Sequence, residues 1–168
     1  MFERVIPNTK GFKINRYLAH QKLWGLFQEF AGINVQQPFG FAVYKDRIVV
    51  RSHMPFKGAV ETQIPLDVHR IEIDLSPRRD TSDLAAELAK MGLEIVEDGS
   101  MTCVKVKAIA FKKGIRVPAL GLRYHVSVRV VNPEAWVKGY GEGVMTHHRF
   151  LGFGLPVVLG DIPPYQRQ

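Results

Sequence analysis

The chain has 168 residues, 46% of them hydrophobic, with ten Phe and two Trp, enough apolar material to fill one ordinary domain or two small ones packed together. Its formal charge of +7 is concentrated, because between Met101 and Arg149 nine cationic residues stand against two acidic ones and the rest of the chain is balanced. No run approaches the roughly 18 apolar residues of a membrane helix, the charged start "MFERVIPNTKGFK" has no signal-peptide block, and a single cysteine excludes an internal disulfide and a multi-thiolate zinc site; a cytoplasmic protein without membrane contact is expected, with Cys103 buried in a strand.

In chain order, "FERVIP" reads as a first strand. Asn15 can cap a helix from Arg16 to about Ala31, closed by Gly32, whose apolar face carries Tyr17, Leu23, Trp24, Leu26, Phe27, Phe30 and Ala31 at helical spacing. "FGFAVYKDRIVVRSHMP" follows as two strands turning near Lys45 and Asp46; "AVETQIPL" is a weak strand and "VHRIEIDL" a well-alternating one. Residues 82 to 91 form a short helix capped by Ser82 or Thr81 and stopped by Gly92. "MTCVKVKAIAFKK" and "LRYHVSVRVV" are strands joined by a loop, "GIRVPALG"; "NPEAWVKGY" is a helix with Asn132 as cap and Pro133 at its first position, and "LPVVL" is a last strand.

From Val68 onward the succession is strand, helix, strand, strand, helix, strand, the ferredoxin-like order. The earlier part resembles the same unit without its second helix. The expected class is therefore α+β, with tandem ferredoxin-like (βαββαβ) domains at 1–66 and 67–168, the first one reduced, although no sequence repeat links them. The fold does not by itself name an activity.

The cationic excess points to a polyanion such as RNA. Lys105 and Lys107 alternate with Val104 and Val106, giving one cationic and one apolar strand face, and Lys112, Lys113 and Arg116 sit at the hairpin tip, where they can grip an RNA backbone. Edge-strand lysines that protect against aggregation are the plainer account. In "GEGVMTHHRFLGFGLPVVLG" the adjacent His147 and His148 lack a ligand cluster, which argues against zinc, and no Lys followed by Ser or Thr makes a P-loop. What remains is either a flexible turn or a loop whose bare backbone at Gly152 and Gly154 approaches RNA phosphates, with His147, His148 and Arg149 adding charge.

"YLAHQKLWGLF", "SHMPFKGAV" and the closing "GVMTHHRFLGFGL", in that order, resemble the CRISPR repeat-processing endoribonucleases, most closely those of subtype I-E. The resemblance implies metal-independent cleavage of precursor CRISPR RNA at the 3′ side of a repeat hairpin, no cofactor, a 2′,3′-cyclic phosphate end, and retention of the product among the other subunits of a surveillance complex. It places the catalytic residue at His20, as general acid or base. By helical projection His20 falls in the apolar arc between Leu23 and Trp24, the position of a core histidine, while Lys22 points the opposite way. Two other readings stay open: a non-catalytic subunit that only holds an RNA hairpin, and a phosphoesterase with two H-x-[ST] motifs, for which "HVS" at His125 to Ser127 has no second copy.

Overall fold

In the computed structural model the described residues are 1–8, 16–27, 37–76, 81–96, 101–112, 114–144 and 152–160. The first segment forms β1 (Phe2–Pro7), α1 (Arg16–Trp24), the hairpin strands β2 (Gly40–Val43) and β3 (Arg47–Ser52), and a two-residue β4 (Val60–Glu61). These strands make one antiparallel sheet in the order β2-β3-β1-β4. Ala19 and Leu23 of α1 and the following Phe27 bury against Phe39, Phe41, Val43, Ile48, Val50 and Phe56, so α1 covers one face of the sheet. The helix ends sooner than expected: after Trp24, Gly25, Leu26 and Phe27 each donate three residues back, a tightened last turn. The expected cap Asn15 and stop Gly32 lie outside the described residues.

The second segment contains β5 (Arg70–Leu75), α2 (Thr81–Lys90), β6 (Leu93–Ile95), β7 (Thr102–Lys112), β8 (Ile115–Val130), α3 (Pro133–Glu142) and β9 (Val157–Val158). Its antiparallel sheet runs β6-β8-β5-β9, with β7 also paired to β8. Leu84, Leu88 and Met91 from α2 and its end, and Trp136 and Tyr140 from α3, pack on the inward side chains Ile71, Ile73, Tyr124, Val126 and Val128. With β7 set aside as an addition, both sheets have the same order when their strands are numbered within the segment: second, third, first, fourth. The topology repeats where the sequence does not.

Three expectations need correction. A strand, β6, stands between α2 and the basic strand; three residues are too few for their periodicity to show. "GIRVPALG" is not a loop but the first half of β8, with Lys112 opposite Ile115 and only Lys113 and Gly114 between them. Glycine and proline suggested a loop. Over Ile115–Gly121, however, β8 pairs only with β7 among the described residues, so Pro118, which has no N–H, interrupts no second ladder. The result is a long two-stranded arm. Cys103 on β7 is exposed rather than buried, because β7 is a sheet margin and its first residues are uncovered. The expected cap of α3 is present, with Asn132 accepting from the Ala135 N–H at 3.2 Å.

Candidate active site

His20 lies one turn into α1 and is half-buried. Its imidazole is ringed by Tyr17, Trp24, Phe39 and Phe41, with centroid distances of 6.0 to 6.4 Å, and lies nearly parallel to the Phe41 ring at 21°. The apolar arc read from the helical projection is therefore real, and the histidine is built into an aromatic wall. Two polar groups meet its Nε2: the Trp24 indole N–H at 3.0 Å and the Gln37 side-chain oxygen at 3.1 Å. An indole can only donate, so Nε2 accepts from Trp24 when unprotonated and donates to Gln37 when it carries a proton. Gln37 is oriented for this by its own amide, which donates to the Phe39 carbonyl at 2.7 Å. Burial moves the His20 pKa below its ordinary 6.5, with the Gln37 hydrogen bond opposing in part, so the neutral ring prevails at pH 7.

One turn before His20, Arg16 is fully buried and pairs with Asp74 of β5 at 2.5 Å. The other side of Asp74 is held by Arg123 of β8, through contacts of 2.7 and 3.0 Å. Burial alone would raise the Asp74 pKa, but the Arg16 and Arg123 guanidinium groups outweigh it and hold the carboxyl below its ordinary 3.8. Next to this pair, Glu72 hydrogen-bonds His125, whose Nδ1 contacts the Thr102 hydroxyl at 3.2 Å. Burial, followed by the carboxylates of Glu72 and Asp74, pushes the Tyr44 phenol well above its ordinary 10.0. Residue-by-residue reading missed this cluster. Its signal was present: Glu72 and Asp74 alternate on β5 as Arg123 and His125 do on β8, and the ladder sets Glu72 opposite His125 and Asp74 opposite Arg123.

Above the cluster, a cleft of about 390 Å³ is lined by Lys45, Val104, Val106, Arg123 and the two lysines Lys105 and Lys107, with Arg16 at its floor. A second cleft of about 280 Å³, containing Tyr44, Arg70, Glu72 and His125, shares Lys45, Val104 and Arg123 with it. Lys105, Lys107 and Arg116 are exposed on the β7–β8 arm, and Lys112 is in the ladder beside the turn. Lys113, His147, His148 and Arg149 lie outside the described residues. Gly152 and Gly154 do not form an open cradle. Both are buried, the Gly154 N–H donates to the Asp74 carbonyl at 2.7 Å, and a β-carbon on Gly152 would stand 2.7 Å from the Phe41 ring. At Gly152 the lack of a side chain serves close packing against Phe41 of the first segment, and the Gly154 N–H is already engaged by the Asp74 carbonyl. Among the described residues no group of three or more His, Cys, Asp or Glu side chains is arranged to hold a metal, and no helix is long and apolar enough to cross a membrane.

No protein-family model matches the chain, and no curated protein does. Solved structures match it over almost their full length. A CRISPR endoribonuclease Cse3 bound to a 19-nucleotide RNA superposes with a TM-score of 0.65 at 14% identity, covering 95% of this chain and 98% of that one. Cas6e of Escherichia coli K-12 gives 0.64 at 14%, covering 94% and 98%, and a chain of E. coli Cascade bound to a PAM-containing double-stranded DNA target gives 0.53 at 17%, again covering 94% and 98%. The chain has the mixed α+β fold, with antiparallel sheets, of these CRISPR-associated proteins.

Proposed function

We propose that this chain is a metal-independent endoribonuclease that cuts precursor CRISPR RNA at the 3′ side of a repeat hairpin and stays with its product among other subunits of a surveillance complex. The two sheets are read as tandem ferredoxin-like units, at 1–66 and 67–168, with the cationic cleft and the β7–β8 arm as the RNA-binding surface. One observation carries the reading: in a chain with the fold of an RNA-bound Cse3, a histidine with a depressed pKa stands on α1 one turn beyond Arg16, the residue of that helix that borders the lysine-lined cleft, while His20 itself lines neither of the two clefts. The neutral ring accepts the proton of the ribose 2′-OH, the 2′-oxygen attacks the adjacent phosphorus as the bond to the 5′-oxygen breaks, and the departing 5′-oxygen takes a proton from solvent water, leaving a 2′,3′-cyclic phosphate. A proton gained at Nε2 finds Gln37 ready to accept its hydrogen bond, in place of the Trp24 contact.

Lys105, Lys107, Lys112, Lys113 and Arg116 supply phosphate contacts along the stem, with His147, His148 and Arg149 as further candidates. The close aromatic packing of His20 favours one competing reading, a subunit that holds an RNA hairpin without cutting it. Cleavage and binding assays with repeat-hairpin RNAs in EDTA separate the two. His20→Ala is expected to slow cleavage by about 10²- to 10⁴-fold while affinity changes little. A 2′-deoxy substitution at the scissile nucleotide should block cutting and spare binding. Wild-type protein that binds but never cuts would establish the holding role instead.

A further inference from the structure

We propose that Arg16 is a positioning residue for His20: its buried ion pair with Asp74 sets the rotation of α1 and so the direction in which the imidazole faces. The inference rests on the catalytic reading of His20. Of the nine helical residues Arg16, Ala19 and Leu23 are fully buried and Tyr17, His20 and Trp24 are half-buried beside them, while Leu18 faces solvent. The Arg16 guanidinium adds directional ties to this packed face, since it is fixed at once to Asp74 on β5 at 2.5 Å, to the Val43 carbonyl at the end of β2 and to the Gly152 carbonyl, both at 3.4 Å, and it lies over the Phe153 ring at 4.9 Å. Three separate pieces of chain therefore index one end of α1. His20 is four residues on, on the same helix face.

Leverage makes this matter. A side chain about 5 to 6 Å from the helix axis moves roughly 2 Å when the helix turns by ~20°, and a misplacement of about 1 Å can cost ~10²-fold in rate. Arg16 has no exposed surface, so it acts on the reaction through α1 and not as a phosphate contact. Asp74 keeps both oxygens engaged by Arg123 if Arg16 is replaced, so no bare charge is left behind and the rest of the fold is spared.

The test uses the full chain with a cleavable repeat-hairpin RNA. Arg16→Met is expected to lower the single-turnover rate at saturating RNA by roughly 10- to 100-fold, with affinity within about threefold of wild type, and Arg16→Lys to restore part of the rate. The His20 ring signals in NMR, shifted in the wild type by the Phe39 and Phe41 rings, should move towards free-histidine values in Arg16→Met. Cleavage within twofold of wild type, or a rate loss matched by the affinity loss with unmoved His20 signals, overturns the proposal. If Arg16→Met does not fold, Arg16→Gln is judged by the same criteria, and its failure to fold as well would make Arg16 a purely structural anchor. Should the wild type bind without cutting, the enzymatic reading falls, while the His20 signals still decide whether Arg16 orients the ring.

Discussion

The hydrogen bonds of His20 make its proton affinity tunable. Gln37 stabilises the protonated ring and burial opposes it, so removing the amide oxygen should depress the pKa further and supplying a carboxylate should raise it. In an NMR titration the His20 midpoint is expected to fall in Gln37→Met and to rise in Gln37→Glu, and the acid limb of the cleavage pH profile should follow in the same direction. Equal midpoints in the two variants would remove Gln37 from the control of His20. The sign for stability follows from the same shift. Because the native pKa lies below the ordinary 6.5, the unfolded chain binds the proton better, and this contribution, intact above 6.5, declines as pH falls from 6.5 towards the native value. At the same scale Gly152 is held at a φ of 73° against the Phe41 ring. Gly152→Ala is expected to destabilise by at least about 1 to 2 kcal/mol in denaturant unfolding, since both the left-handed backbone and the contact oppose a β-carbon.

At the scale of elements, the β7–β8 arm shows how far a sequence speaks. Alternating Lys and Val over residues 104–107 marked a strand with a cationic face, and Lys105 and Lys107 are exposed on it. The length of the arm was hidden, because the hairpin ladder that pairs β8 back to Ile115 with β7 overrides the local signal of Pro118 and Gly121. The core of each segment was legible wherever side chains alternate or recur at helical spacing, as in β5 and α3. The Asp74 cluster was not, since four polar residues that look solvent-facing on separate strands become a buried network only once the first segment covers them. For the arm, the expected result is that Lys105→Ala with Lys107→Ala weakens binding to different RNA stems alike and flattens the log–log salt dependence, by roughly 0.7 to 0.9 of slope for each phosphate no longer neutralised. Unchanged slope and affinity would move the RNA grip elsewhere.

Across the whole molecule, Asp74 is the point where the two segments meet. Its side chain binds Arg16 from the first and Arg123 from the second, Arg123 in turn donates to the Val43 carbonyl at 3.1 Å, and the Asp74 carbonyl accepts from the Gly154 N–H. The junction has further ties. Arg51 of β3 donates to the Pro156 carbonyl at 2.5 Å and lies 3.8 Å over the Tyr140 ring, and Leu155 is buried among Ala42, Tyr44 and Val49. Two segments so joined should unfold together rather than in turn, and the chain carries its own reporters, with Trp24 on α1 and Trp136 in the second core. Acid is the informative perturbant. The Asp74 carboxyl is held below 3.8, so its contribution is present above that value and is lost as pH falls through its lower native pKa, when protonation strips the shared counter-ion from two buried arginines. Fluorescence of Trp24→Phe and Trp136→Phe proteins, each reporting one segment, is expected to give coincident acid transitions with midpoints below pH 3.8. Asp74→Ala should lower stability by about 3 to 5 kcal/mol in both reporters at neutral pH, the cost of leaving buried charge uncompensated. Separated transitions in the two single-tryptophan proteins, or an Asp74→Ala protein that loosens only one of them, would show that the segments fold independently and that the ionic junction does not couple them.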